Sequence, residues 1–133
     1  MKRAKSSARR AVSRKAAERR GRWAESYAVL YLLLRGYRIL VRNHRTPSSE
    51  VDVLALHRGD LVLVEVKARA SWEACEAALD WTTRRRLDGA AEDLAGSRWA
   101  ERANGSERDV RVDAVLVCGW RVRVRRHAWR HGD

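Results

Sequence analysis

Phenylalanine is missing from this 133-residue chain, proline and methionine occur once each, and there are two cysteines. A single proline, Pro47, leaves no proline-rich linker or recognition segment. Cys75 and Cys118 cannot build a disulfide framework, and with no apolar signal core near residue 1 they read as reduced thiols of a cytoplasmic protein. An Arg- and Ala-rich start with almost no acid also fits an organellar transit segment; a basic arm retained in the cytoplasm is the preferred expectation. The longest apolar run, Ala28 to Leu34, is too short to cross a bilayer, so no membrane partner is expected. Lysine is scarce in an informative way. From Trp23 onward there are 18 Arg and one Lys, and that one is Lys67.

The positive charge is unevenly spread. Residues 1–22 hold ten cations and one acid (+9), and the remaining residues hold 19 cations and 16 acids (+3), which together make the net +12. A polyanionic partner follows, with nucleic acid ahead of an acidic membrane surface. The expected organisation is a flexible basic arm over 1–20 and one folded domain over 21–133.

Apolar periodicity places the elements. Ala24, Tyr27, Ala28, Tyr31 and Leu34 recur at helical spacing within 17–35, with Gly36 as the stop. Residues 37–42 read as a half-buried strand and 43–49 as a loop. Val51 to Leu56 and Leu61 to Lys67 form two strands of a hairpin around Arg58-Gly59-Asp60. A second helix is expected from about Asp80 to Ala103, weakened by Gly89 and Gly96, before a break at Asn104-Gly105-Ser106. Val110 to Val117 and Trp120 to Val124 are the closing strands. Helix, three strands, helix, then one or two strands describe an α/β fold with a mixed sheet flanked by helices.

The hairpin gathers three charges. Glu65 and Lys67 are two apart on one strand, so they share a face at roughly 6–7 Å. A two-residue loop at Gly59-Asp60 sets Asp52 opposite Lys67, and a four-residue loop over His57 to Asp60 sets it opposite Glu65. Either even-length loop puts Asp52 on that face, whereas a three-residue loop sends it to the other, because a one-residue slip flips every side chain. Two carboxylates so close repel unless neutralised, and a divalent cation such as Mg²⁺, held by carboxylates, waters and substrate phosphate, would do so. Glu25 lies one residue off the apolar stripe of the first helix and can aim at the sheet edge. The competing reading is a structural ion pair at a strand end.

Several short motifs in one order carry a family resemblance. Gly21-x3-Glu25, Gly36-Tyr37-Arg38-Ile39-Leu40-x-Arg42-Asn43, Glu50-Val51-Asp52-Val53-Leu54-Ala55 and Leu63-Val64-Glu65-Val66-Lys67-x-Arg69 resemble the YraN-like family of candidate endonucleases, with a fainter echo at Arg111-Val112-Asp113-Ala114-Val115. That family is similar to archaeal Holliday junction resolvases of the PD-(D/E)XK nuclease superfamily. The resemblance implies a restriction-endonuclease-like core of αβββαβ order and a nuclease domain over 21–133. It implies Asp52, Glu65 and the Val66 carbonyl as ligands for Mg²⁺ or Mn²⁺, Lys67 as the catalytic lysine, and Glu25 as the acid that completes the catalytic set. Three features depart from it: Ser49 stands where the family has Gly, Thr83 where it has Lys, and the loop from His44 to Ser49 carries an unusual Pro47-Ser48-Ser49. Arg84, Arg85 and Arg86 follow Thr83 and, with Arg69, are the expected phosphate contacts.

The function so implied is metal-dependent hydrolysis of DNA phosphodiesters, in branched or otherwise structured DNA, by a protein that pairs as a homodimer. A non-catalytic nucleic-acid binder on the same scaffold is the rival. Trp72 and Trp81 flank the Glu65–Lys67 segment and are the aromatic candidates for stacking on unpaired bases. His44 and His57 are expected near the cleft mouth without metal-ligand partners, and His127 and His131 are read as inert.

Overall fold

The structure is a computed structural model that describes residues 21–103 and 110–128. The arm over 1–20, the break at Asn104-Gly105-Ser106 and His131 lie outside the described residues. Among those described, five strands make one sheet in the order β1 (Arg38–Arg45), β2 (Glu50–His57), β3 (Asp60–Ala68), β4 (Arg111–Cys118) and β5 (Arg121–Arg125). The β3–β4 pair is parallel and the other pairs are antiparallel. A parallel pair needs a long crossover, and here α2 (Trp72–Ala78), α3 (Trp81–Ala95) and a 3-10 turn (Arg98–Arg102) lie within it. Helix α1 covers 21–34. This mixed sheet with helices on both faces matches the restriction-endonuclease-like architecture expected from the sequence.

Alternation along the strands divides the core in two. Leu54, Leu61, Leu63 and Val112 pack with Leu87, Ala90, Ala91 and Leu94 of α3. Val53, Ala55, Val62, Val64, Val115 and Val117 pack with Ala24, Ala28 and Leu32 of α1. Burial on both faces explains why β2, β3 and β4 read as nearly continuous apolar runs. Alanines at 24 and 28 bring α1 close to the sheet, and burying Leu32 contributes about 1.5–3 kcal/mol. The expected stripe was out of phase at its end: Leu32 is fully buried, whereas Leu34 is 78% exposed. Among the described residues no helix is long and apolar enough to cross a membrane.

Three local expectations change. β1 continues to Arg45, beyond the expected boundary at 42, with Asn43 at φ 51 and a register shift between Ile39 and Val41; asparagine tolerates that conformation better than most residues, and bulges are common on edge strands. The single helix expected over 80–103 is instead α3, capped by the Asp80 carboxylate on the Thr83 N–H at 2.9 Å, then a stop at Gly96 and the 3-10 turn. Gly89 does more than weaken this helix. A Cβ there would lie 3.0 Å from Ser48 Oγ, so its absence lets the 46–49 loop dock, and the Ser48 N–H donates to Asp93 Oδ2 at 2.9 Å. The short α2 was not expected. Its N-cap is Ser71, whose hydroxyl accepts from the Ala74 N–H at 3.1 Å.

Candidate functional site

The β2–β3 turn decides the site. Arg58 and Gly59 both have positive φ, 52° and 84°, as tight primed hairpin turns require. His57 therefore pairs with Asp60 and Leu56 with Leu61, a two-residue loop one step earlier than Gly59-Asp60. The β2–β3 ladder ends at Val53–Val64. Continued by one residue, it sets Asp52 opposite Glu65, the register of the longer-loop alternative.

At that point side chains replace the ladder. The Val66 N–H, which would otherwise seek a β2 carbonyl, donates to Asp52 Oδ2 at 2.8 Å. In an extended strand the N–H and C=O of one residue point to the same side. The Val66 carbonyl therefore faces the side on which Asp52 stands. Glu65 is 4% exposed. Its Oε1 lies 3.4 Å from Lys67 Nζ, and its Oε2 lies 3.2 Å from an Arg86 guanidinium nitrogen. Burial first, and then the Asp52 charge, push the Glu65 carboxyl up to about 7, against the opposing pull of Lys67 and Arg86. Glu25 of α1 belongs to the same cluster, because its pKa is raised by burial and then by Asp52.

These groups open onto a cleft of about 790 Å³ whose lining includes Glu25, Asp52, Glu65, Val66, Lys67 and Arg69. The four expected catalytic residues thus come together where the β2–β3 ladder ends. Among the described residues no three His, Cys, Asp or Glu side chains form a preformed metal cage. What stands there is a sparser oxygen set: Asp52, Glu65 and the Val66 carbonyl. Two neighbouring carboxylates beside a main-chain oxygen are a donor set of the kind that suits a hard cation that keeps several waters, as Mg²⁺ does.

The arginines part company. Arg86, one of the expected phosphate contacts, holds Glu65, and its other terminal nitrogen donates to the Glu50 carbonyl at 3.3 Å. Arg85 stacks on the Trp81 ring at 5.1 Å. Arg69 is exposed at the cleft. Trp72 lies beneath Arg123 at 4.1 Å, and neither Trp72 nor Trp81 lines the cleft. His44 packs edge-on against Trp99, away from the cleft lining.

His57 is also not at the mouth. It is buried near the hairpin end of the sheet in a network that the residue pattern did not reveal. Arg111 donates to Asp113 at 2.9 and 2.8 Å, to Asp60 at 3.1 Å and to His57 Nδ1 at 2.6 Å. Tyr37 Oη donates to Asp113 at 2.7 Å, and its ring stacks on His57 at 3.9 Å. The His127 N–H donates to Asp113 Oδ1 at 3.0 Å. The only advance signal was the Arg-x-Asp spacing on an apolar strand, which places both charges on one buried face.

A family model described as uncharacterised protein family UPF0102 matches residues 24–117. The chain belongs to that family. It is 45% identical over 114 residues to the UPF0102 protein mlr4633 of Mesorhizobium japonicum, covering 85% of this chain and 87% of that protein. It is 40% identical over 105 residues to the UPF0102 protein Atu0303 of Agrobacterium fabrum, covering 78% and 82%. A UPF0102 protein of a Caulobacter species is 43% identical over 115 residues, covering 86% and 80%. The UPF0102 match contains Glu25, Asp52, Glu65 and Lys67, together with Arg111 and Asp113.

Proposed function

We propose that this UPF0102 protein is a metal-dependent DNA endonuclease that cuts phosphodiesters in branched or otherwise structured DNA. The observation that carries the reading is the buried Glu65 carboxyl, crowded by Asp52 and touched by Lys67, at the wall of an open cleft. Carboxylates in that position suit the binding of a cation better than the packing of a core. Asp52, Glu65 and the Val66 carbonyl would hold Mg²⁺ or Mn²⁺, which supplies an activated water and offsets charge developing on the phosphate. Lys67 Nζ, with three donors and one face on Glu65, can hydrogen-bond a phosphate oxygen or hold the attacking water. Arg86 fixes the Glu65 rotamer from α3. Glu25, whose pKa is raised by burial and then by Asp52, lines the same cleft and would accept a proton from water. Arg69 offers phosphate contact at the rim, and the +9 of residues 1–22 adds salt-sensitive, sequence-independent affinity. The reading includes a cytoplasmic location and pairing of two copies on a branched substrate.

One observation favours the rival, a non-catalytic nucleic-acid binder: both Glu65 oxygens already meet cations, Lys67 and Arg86. Cleavage of labelled four-way, flapped, linear and single-stranded DNA in Mg²⁺, Mn²⁺ or EDTA decides between them. The expected result is cutting in metal, none in EDTA, and a loss of about 100-fold or more in Lys67→Ala with DNA binding kept. Binding without cutting in every metal condition would transfer the conclusion to the rival.

A further inference from the structure

One large aromatic ring lines this cleft, and a second, more exposed ring meets it. Trp23 of α1 is 48% exposed and Trp120, in the turn between β4 and β5, is 77% exposed. Trp23 and Gly119, the neighbour of Trp120, both line the cleft that holds Asp52, Glu65 and Lys67. We propose that Trp23 and Trp120 form a stacking platform for unpaired nucleobases beside the carboxylate–lysine site. The proposal rests on the nuclease reading and deepens it: the substrate would carry a single-stranded segment next to the phosphate that is cut.

The platform is built rather than incidental. Gly119, at φ +61, turns the chain so that Trp120 projects from the end of the sheet. Tyr27 Oη donates to the Trp120 carbonyl at 2.9 Å and ties that turn to α1. The Trp23 ring stacks on Tyr27 at 5.1 Å and 13°, and Trp120 meets Trp23 edge-on at 5.4 Å and 80°. Three rings from two elements thus brace one another, so little side-chain freedom is left to lose when a base arrives. With three quarters of its surface exposed, Trp120 keeps a ring face open. Any base offers a π-face to such a ring, which makes stacking tolerant of sequence.

Charge selects the occupant. Arg22, Arg69 and Arg121 are exposed around these rings in sequence or along the cleft, and the whole chain carries +12. A second copy would bring the same positive rim against itself, whereas a nucleic acid strand brings phosphates to the arginines and bases to the rings.

The test measures binding in EDTA, so that it does not depend on catalysis. Fluorescein-labelled oligothymidylate of about 20 nucleotides and a duplex of equal length are titrated with wild type, Trp120→Ala, Trp23→Ala and Trp120→Tyr. The expected result is a loss of about tenfold in affinity for the single strand in each alanine variant, with duplex affinity changed less than about twofold. Trp120→Tyr should restore most of the loss, and tryptophan emission should be quenched by the single strand more in wild type than in Trp120→Ala. Equal losses on both DNAs, or no loss on the single strand, would overturn the platform. So would a change in self-association in Trp120→Ala with single-strand affinity intact, since it would assign the rings to a second copy. Selective loss in a protein that cuts nothing would refute the nuclease reading alone and leave the platform standing.

Discussion

At the hairpin end of the central strands, Arg111 meets Asp113, Asp60 and His57 while Tyr37 closes on Asp113; near the other end of β3, Glu65 meets Asp52 across a broken ladder with Lys67 and Arg86 beside it. Both clusters bury charge. In the first, cation and carboxylate are bidentate, and donors from Tyr37 and the His127 main chain fill the remaining acceptor sites. In the second, like charges are neighbours, a carboxyl is pushed up to about 7, and the cluster faces a cleft. A closed, satisfied network explains itself by holding β2, β3, β4 and the segment after α1 together. A crowded, open one leaves room for a further partner, and this difference in satisfaction, more than charge count, is why the second cluster is the candidate site.

The largest effect that would break this comparison is on stability. Asp113→Ala should strand the buried Arg111 guanidinium and cost about 3–5 kcal/mol in urea unfolding. Glu65→Gln removes a carboxyl that already resists ionisation, and should cost less than about 1 kcal/mol at pH 8 in EDTA. Equal losses in the two variants would mean that both clusters are structural.

The pH dependence should separate the two ends by sign. Glu65 has a folded pKa near 7, above its ordinary 4.5, so the stability it contributes is full below 4.5 and lost as pH rises through about 7. His57 is shifted the other way, below 6.5, by burial and then by Arg111. Its contribution is present above 6.5 and lost as pH falls below that value. Urea midpoints in EDTA from pH 5 to 8 should therefore rise with pH in Glu65→Gln relative to wild type, and His57→Gln should lessen the fall toward pH 5. A parallel pH profile for Glu65→Gln and wild type would remove the case for a perturbed carboxyl.

A smaller effect sharpens the role of Arg86. Its guanidinium is partly exposed, so Arg86→Met should cost only about 1 kcal/mol of stability. Losing that cation should also make Glu65 harder still to ionise, seen as an upward shift of the Glu65 carboxyl resonance in a pH titration by NMR. An unmoved resonance would show that the contact has no electrostatic weight.

The hairpin was readable in advance because alternation and turn chemistry are local. Any even loop puts Asp52, Glu65 and Lys67 on one face, and the positive φ at Arg58 and Gly59 selected between the two registers. The seven residues of α2 escaped because Trp72 to Ala78 are too few to show a helical period, and only the Ser71 cap announces them. Arg86 looked like its neighbours Arg84 and Arg85, since nothing in three consecutive arginines says which one turns toward β3. Tyr37, His57 and Arg111 are far apart in the chain, and their meeting depends on how α1 and the hairpin are folded back on β4.

The sequence by itself determined the strand periods, the face shared by the three central charges and the family to which the chain belongs, because these follow from spacing and residue type along one or two adjacent segments. Only the tertiary structure decided that Glu65 is buried between Lys67 and Arg86, that His57 belongs to a closed network, and that Trp23, which lines the cleft, meets Trp120. Each of those facts depends on which distant segments come together, and burial, pairing and pKa are properties of that meeting rather than of the residues alone.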